Sequence, residues 1–450
     1  MRSRLLAGSL LLALVPACGE PGAAPGPNLL LVIFDTTRAD HLGCYGGMAE
    51  TSPTVDALAA RGTRFDEALS QSSLTPVSAT SVLTGSYPTH HGVRSLFTVG
   101  HQTMDDGITP LAELLDARGI DTAAFVSAMP MNGKKYGLAR GFGVYSDEPG
   151  RDVERAKQLG LPNAGQRRAD DTTELALQWL DGRAGRRFGM LVHYFDAHDS
   201  TLVPPARFLA GRMTIPPPGV PPTEVQRIAL YDAEIAFMDR ELGRLLDRLK
   251  ELGELDDTVV VVIGDHGEGL GQHGFWTHGL LWHEQLRVPL VLAGPGIPKG
   301  RLVADRVRLV DLLPTLVDLL DLPDTGQRDG SSLSELLIGG HDPAPRELYA
   351  EVHHAEYDFL NRDAAIVSIT LGKWKYVHGS SGAHQLYDLE ADPGETQNLF
   401  SEDHPQLPAL RARLAELGAL DHVRVSTEGM DPEDIETLRN LGYIEKDRRE

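Results

Sequence analysis

Two apolar runs, each closed by an aspartate, constrain the fold of this chain more than any other feature. Asn28-Leu-Leu-Leu-Val-Ile-Phe-Asp35 lies near the start, and Thr258-Val-Val-Val-Val-Ile-Gly-Asp265 lies past the middle. A continuous apolar run bounded by polar turns suits a strand covered on both faces, as in a parallel sheet. In open α/β sheets, ligands sit beyond the carboxyl ends of such strands. Asp35, Asp265 and the adjacent His266 would be delivered there together. Two carboxylates and an imidazole are oxygen and nitrogen donors for one divalent cation, and Ca²⁺, Mn²⁺, Mg²⁺ and Zn²⁺ are all compatible with that set.

Strand and helix signals alternate around these runs from residue 28 to about 320. Strands are expected at 29–34, 123–128, 190–195, 258–264 and 289–293. Helices are expected from Pro53 to Arg61, from Thr109 to Arg118 and from Thr223 to Leu252. In the last, Ile228, Ile235, Met238, Leu242, Leu245 and Leu249 recur at three- and four-residue steps, the signature of one apolar face. A further helix, Val310 to Leu320, carries Pro314, which is expected to end or kink it. Alternating elements predict an α/β fold: a doubly wound, mostly parallel sheet flanked by helices. The Pro- and Gly-rich stretch 199–222 reads as a surface excursion. Beyond about 345 the pattern shifts to short strands at 365–370, 374–377 and 386–389 and a helix at 406–418, a smaller C-terminal α+β subdomain. The expected division is 1–18 export signal, 19–27 tether, 28–340 main domain, 341–424 subdomain and 425–450 acidic tail.

Arg2 and Arg4 precede a short apolar stretch, Leu5 to Leu14, too brief to span a bilayer. Leu14-Val-Pro-Ala-Cys18-Gly then resembles a bacterial lipobox with Cys18 as the lipidated residue. The expectation is an exported chain, lipid-anchored to the membrane of the bacterial cell envelope on its periplasmic or outer face; the alternative is a plain signal peptide with a chance cysteine. Cleavage there leaves Cys44 as the one other thiol, so no internal disulfide can form. The formal charge of −22 argues against a nucleic-acid partner. It leaves room for an anionic substrate, because a bound cation inverts the local field.

A third element is Thr75-Pro76-Val77-Ser78-Ala79-Thr80-Ser81-Val82-Leu83-Thr84-Gly85. Thr75 suits a helix N-cap, Pro76 the first helical position and Gly85 a stop. A hydroxyl at a helix N-terminus faces positive potential and suits an anion, while the plain alternative is a structural cap.

Several segments, in order over about 28–400, resemble the sulfatase family of the alkaline-phosphatase superfamily. Phe34-Asp35-Thr36-Thr37-Arg38-Ala39-Asp40-His41-Leu42-Gly43-Cys44-Tyr45-Gly46 is similar to its N-terminal metal motif. Ser78 through Leu83-Thr84-Gly85-Ser86-Tyr87-Pro88, with His91-Gly92-Val93, is similar to its nucleophile helix. His193-Tyr194-Phe195-Asp196-Ala197-His198 resembles its substrate-facing strand end, and Tyr231 to Asp239 its long helix. Asp265-His266-Gly267-Glu268, His278-Gly279 and Val288-Pro289-Leu290 resemble its second metal segment. Leu386-Tyr387-Asp388-Leu389 through Asn398-Leu399 resembles its C-terminal signature. The resemblance implies Asp35, Asp265 and His266 as metal ligands, Thr75 as the nucleophile, and His278 and His198 beside the ester and leaving group. It makes Arg38 an ion-pair partner, and Asp196 and Thr36 candidates for a second metal or for substrate contact.

Three departures from the family pattern bear on the reaction. The family converts Cys or Ser to formylglycine within a Cys/Ser-x-Pro-x-Arg frame; here the frame reads Thr75-Pro76-Val77-Ser78-Ala79. The proline and arginine of the frame are missing, and the second of the family's paired aspartates is Thr36. The resemblance thus implies a metal-dependent hydrolase of a sulfate or phosphate ester with Thr75 in the nucleophile position. The alternatives are a phosphotransferase or phosphodiesterase working through a phosphothreonine, and an inactive binding lipoprotein.

Overall fold

The computed structural model describes residues 26–421 and residue 435, apart from 97–102, 149, 151–165, 184, 199–201, 213–221, 324–325, 343–344 and 354–364. The export signal, Cys18, most of the tether and nearly all of the acidic tail lie outside the described residues. Among the described residues, no helix is long and apolar enough to cross a membrane.

A nine-stranded sheet forms the body. Its strands are β1 (Asn28–Phe34), β2 (Thr63–Leu69), β3 (Asp121–Val126), β4 (Val144–Ser146), β5 (Phe188–Tyr194), β6 (Thr258–Gly264), β7 (Arg287–Val288), β8 (Leu290–Ala293) and β9 (Arg301–Arg308). They run in the order β4-β3-β5-β1-β6-β8-β2-β7, with β9 also beside β2. From β4 through β6 every pairing is parallel. Antiparallel pairing enters at β8, against both β6 and β2. The sheet is therefore mostly parallel, with β1 at its centre.

The unbroken apolar runs follow from that position. Leu29, Leu31 and Ile33 of β1 enter one apolar layer with Ala79, Val82 and Leu83 of helix α2 (Thr75–Thr84). Leu30, Val32 and Phe34 point the other way and meet Ile235, Met238, Leu242 and Leu245 of the long helix Glu224–Glu251. Side chains alternate across a strand, so a strand covered on both sides favours apolar residues on both faces. The first helix, α1 (Pro53–Arg61), and α3 (Ala169–Gly182) join the second layer through Val55, Leu58, Ala176 and Leu180. The long helix, α4, opens with a reciprocal capping box between Thr223 and Gln226.

Pro314 departs from expectation. Helix α5 spans Leu312–Leu320 after a 3₁₀ turn at Leu309–Asp311. Proline thus falls in the first α-helical turn, where backbone N–H groups lack helical acceptors anyway, and it neither ends nor kinks the helix.

The C-terminal subdomain is an antiparallel meander of β10 (Leu348–His353), β11 (Ala365–Leu371), β12 (Trp374–Gly379) and β13 (Gln385–Asp388). Helix α6 (Leu407–Glu416) covers it through Leu407, Leu410 and Leu414. Strand β10 has no counterpart in the sequence reading. It packs against the main body: Glu351 N–H donates to Gln71 O at 3.0 Å, and Arg94 grips the Glu351 carboxylate at 2.8 and 2.7 Å.

Asp239 ties two helices of the same layer. From inside α4 its two oxygens accept the N–H groups of Thr54 (2.9 Å) and Val55 (2.8 Å), which have no acceptor within α1. Asp239→Ala leaves both donors unmet, that of Val55 in a buried setting and that of Thr54 in a half-buried one. The expected loss is about 1–3 kcal/mol of stability in urea unfolding, with a smaller loss for Asp239→Asn.

Candidate metal and nucleophile site

The parallel register Phe34↔Gly264 puts the next residues, Asp35 and Asp265, side by side beyond the carboxyl ends of β1 and β6. Each carboxylate is held by one oxygen. Asp35 Oδ2 accepts from His193 Nε2 at 2.8 Å and from the Thr75 hydroxyl at 3.2 Å. Asp265 Oδ1 accepts the backbone N–H groups of Thr36 (3.0 Å) and His266 (2.9 Å). The other two oxygens, Asp35 Oδ1 and Asp265 Oδ2, are buried without a hydrogen-bond partner. His266 Nδ1 lies 2.9 Å from Gly267 O, so the proton is on Nδ1 and the Nε2 lone pair faces the acids. Asp35, Asp265 and His266 are fully buried, and one ligand atom from each falls within 4.8 Å of the others.

Buried polar atoms are almost always satisfied. Two orphaned carboxylate oxygens converging with an imidazole lone pair therefore fit a divalent cation. The electrostatics agree. Burial, and then the neighbouring Asp265, push Asp35 well above the usual carboxylate range. Burial alone would lower His266, but Asp265 and Asp35 outweigh it and raise it. A bound cation would supply the missing countercharge.

Thr75 is the first residue of α2, one position later than the cap expected from sequence. Leu74 occupies the cap position without a side-chain bond. The Thr75 hydroxyl is thus free of capping duty and lies 3.2 Å from Asp35 Oδ2 and 3.3 Å from His266 Nε2. Ser78, one turn on, donates to the carbonyl of Asp265 at 2.6 Å and fastens α2 to the end of β6.

The two histidines expected near the ester are also here. The His278 ring is 4.6 Å from that of His266 and 4.9 Å from that of His198, which stacks on Phe195 at 4.2 Å. Burial, with His278 and His266 next, holds His198 well below its ordinary value. Arg38 forms a two-bond ion pair with Asp40 at 2.9 and 2.6 Å.

Thr36 and Asp196, the candidates for a second metal or for substrate contact, follow the carboxyl ends of β1 and β5, and Asp196 Oδ2 is buried without a hydrogen-bond partner. Thr36 adopts left-handed backbone (φ 50°), and its hydroxyl donates to Asp35 O at 2.8 Å. It supports Asp265 through its N–H instead of offering its side chain to a cation. Tyr231 of α4 fixes this turn by donating to Thr36 O (2.6 Å) and accepting from Arg38 N–H (2.9 Å). Asp196 Oδ1 accepts the Ala169 N–H at the start of α3 (3.2 Å). Among the described residues, Asp35, Asp265 and His266 form the one metal-type group, and Asp196 is not in it.

His193 is the functional residue without an assigned role in the sequence reading. Ser127 N–H approaches its Nδ1 at 3.4 Å, which leaves Nε2 as the protonated nitrogen that donates to Asp35. Burial lowers it to about 4, so it stays a neutral donor. The available signal was a lone polar residue inside the buried strand Phe188–Tyr194.

The chain is similar to known proteins over most of its length. The family model described as Sulfatase matches residues 27–322, and one described as N-sulphoglucosamine sulphohydrolase, C-terminal, matches 271–419. A choline-sulfatase of Rhizobium meliloti (strain 1021) is 37% identical over 189 residues, which is 41% of this chain and 35% of that protein. That match spans about a third of the relative's length. An N-acetylglucosamine-6-O-sulfatase of Bacteroides thetaiotaomicron is 22% identical over 508 residues, covering 92% of this chain and 88% of its own. Among solved structures, the phosphonate monoester hydrolase of Agrobacterium radiobacter superposes with a TM-score of 0.68 at 23% identity, over 87% of this chain and 95% of that one.

The geometry makes His193 a support for a ligand. His193→Ala is expected to weaken divalent-cation binding by about 10- to 100-fold, whereas Asp35→Asn or Asp265→Asn removes it. Calorimetric titration of chelator-treated protein with Mn²⁺ or Ca²⁺ reads both outcomes.

Proposed function

We propose, from the premise that this chain belongs to the sulfatase family, that it is a metal-dependent hydrolase of an anionic sulfate or phosphate ester with Thr75 as the nucleophile. One observation carries this reading: the Thr75 hydroxyl lies within 3.3 Å of two of the three side chains that would hold the cation. Asp35, Asp265 and His266 would bind it. When bound, a divalent cation lowers the pKa of a nearby hydroxyl and neutralises charge on the ester.

The residues of the chain do the rest. Asp35 Oδ2, which already accepts a hydrogen bond from the Thr75 hydroxyl, takes its proton. Thr75 Oγ1 then attacks the phosphorus or sulfur in line with the departing oxygen. His278 or His198 gives that oxygen a proton as the alcohol leaves. Water then releases the group from the threonine.

Family membership points to sulfate esters, and the threonine points to phosphate esters. Formylglycine chemistry uses a hydrated aldehyde, in which a second hydroxyl helps to expel sulfate. Threonine has one hydroxyl and stands in a frame with Val77 and Ala79. Phosphothreonine, by contrast, hydrolyses by ordinary attack at phosphorus. The same intermediate passed to an acceptor alcohol would make the chain a phosphotransferase, which the hydroxyl favours as the second reading. The names of the relatives, a choline-sulfatase, an N-acetylglucosamine-6-O-sulfatase and a phosphonate monoester hydrolase, support an anionic ester. We also propose that Cys18 anchors the mature chain to the cell envelope.

Purified protein is expected to turn over aryl phosphate, aryl sulfate or a phosphonate monoester, to lose that activity in EDTA and to regain it with added cation. Thr75→Ala should lower kcat by on the order of 10³-fold or more, and Thr75→Ser should retain turnover. Intact mass after brief turnover should show one phosphoryl or sulfuryl group on Thr75. Full activity in Thr75→Ala would overturn the reading; bound cation with no turnover would favour a binding role. Cys18→Ala is expected to move the expressed protein from the membrane pellet to the soluble fraction.

A further inference from the structure

The segment from Glu268 to His278 folds back on itself as a hairpin, with Gly269 N–H donating to Thr277 O at 3.2 Å and Gly271 N–H to Phe275 O at 2.8 Å. His278 closes the hairpin and is followed by Gly279 in left-handed backbone (φ 102°). Glycine has the widest backbone freedom of any residue, so the hairpin alone does not set the chain beyond His278. Residues 280–285 do. Leu280 O accepts from the Ser73 hydroxyl at 2.7 Å, two residues before Thr75, and Leu280 N–H donates to Gln285 Oε1 at 2.7 Å. Gln285 Nε2 donates to Thr277 O at 3.4 Å, and Gln285 O accepts Gly267 N–H at 2.9 Å. One loop thus touches the chain beside Thr75, beside His278 and beside His266.

The C-terminal subdomain holds the same loop with two buried charges. Lys375 of β12 donates from Nζ to Leu281 O, and Glu395, beyond β13, accepts His283 N–H on Oε2 at 2.6 Å. The two heads form an ion pair, and both residues are buried. Glu395 holds left-handed backbone (φ 52°), which is unfavourable for a residue with a Cβ. Gly394 O, just before it, lies 3.0 Å from His273 Nε2 in the hairpin. Apolar side chains of similar volume often stabilise a core as well as a buried ion pair does, so stability alone does not call for charges here. Each charge instead meets a backbone group that an apolar side chain would leave unmet. We propose that Lys375 and Glu395 are positioning residues: from the subdomain they fix residues 281–283, and through them the place of the His278 imidazole beside the leaving group. The kinetic part of this proposal rests on the ester-hydrolase reading above; the hold on the loop does not.

The test uses the full mature protein and two double variants that leave no uncompensated buried charge. Lys375→Met/Glu395→Leu removes both holds, and Lys375→Met/Glu395→Gln keeps an acceptor for His283 N–H. Hydrogen–deuterium exchange, well below each melting midpoint, should speed up at 279–285 in the first variant and less in the second, with 75–84 unchanged. The first variant should lower kcat about 10- to 100-fold on the phenyl ester of the sulfate or phosphate that wild type hydrolyses, with KM and cation affinity little changed. The 4-nitrophenyl ester, whose leaving group needs less help from a proton, should lose much less. In a His278→Ala background the double substitution should cost nothing further. Unchanged exchange at 279–285 overturns the proposal, as do equal losses on the two esters or full additivity with His278→Ala. Weakened cation binding also overturns it by making the pair a support for His266, and unfolding of both variants does so by making the pair a structural strut. Should wild type turn over no ester, the hydrolase reading fails, while exchange still decides whether the pair holds the loop.

Discussion

Two carboxylates meet, fully buried, at the ends of neighbouring parallel strands, and much of the surrounding structure serves that encounter. The β1–β6 register leaves Asp35 and Asp265 no other place to be. Two negative charges about 5 Å apart repel by roughly 3–4 kcal/mol at an effective dielectric near 20, before desolvation is counted. The protein answers by giving each carboxylate two donors on one oxygen and leaving the other bare. The donors have their own supports. Tyr231 holds the left-handed turn that aims Thr36 N–H, and Ser127 selects the tautomer of His193. A site half satisfied by protein and half open is what a cation requires.

Both layers of the sheet contribute to it. Helix α2 seals one face with Val82 and Leu83 and presents Thr75 at its start. On the opposite face, α4 packs Ile235, Met238 and Leu242 against β1, and from its own buried stripe sends Tyr231 to the Asp35 turn. Asp232 beside it pairs with His41 at 2.6 Å. The apolar faces that fold the domain thus also set the site, so a packing error in either helix would misplace a donor.

The departures from the family frame have a structural counterpart. Ala79, where the frame has arginine, is fully buried in the apolar layer with Ile33, Val82 and Leu83. A guanidinium there would need a buried partner or a path to solvent. Ala79 is therefore built into this core, and the hydroxyl of Thr75 is held by the metal-type ligands themselves. On the other side, the Glu268–His278 hairpin brings an imidazole alongside His266. Thr75 and His278 consequently come from separate elements that each lie against the same buried imidazole, His266.

Local periodicity was enough to read β1, β6 and the long helix, because strand alternation and the helical repeat are written in neighbouring residues. The resemblance to the sulfatase family pointed to Asp35, Asp265, His266 and Thr75, and the fold brings their side chains together. Other features depended on partners far away in sequence. Strand β10 is defined by its pairing with β11 and by Gln71. The Thr75 hydroxyl turns to Asp35 because Leu74, not Thr75, takes the cap position. His193 looks like any polar interruption of a strand until Asp35 arrives from a neighbouring strand. Thr36, placed by resemblance beside the metal, works through its backbone because a left-handed turn aims its N–H at Asp265. Sequence determines which faces are apolar and which residues carry donors. Only the tertiary structure decides which of their atoms are satisfied and which are left facing one another, because that depends on hydrogen bonds closed across the whole chain.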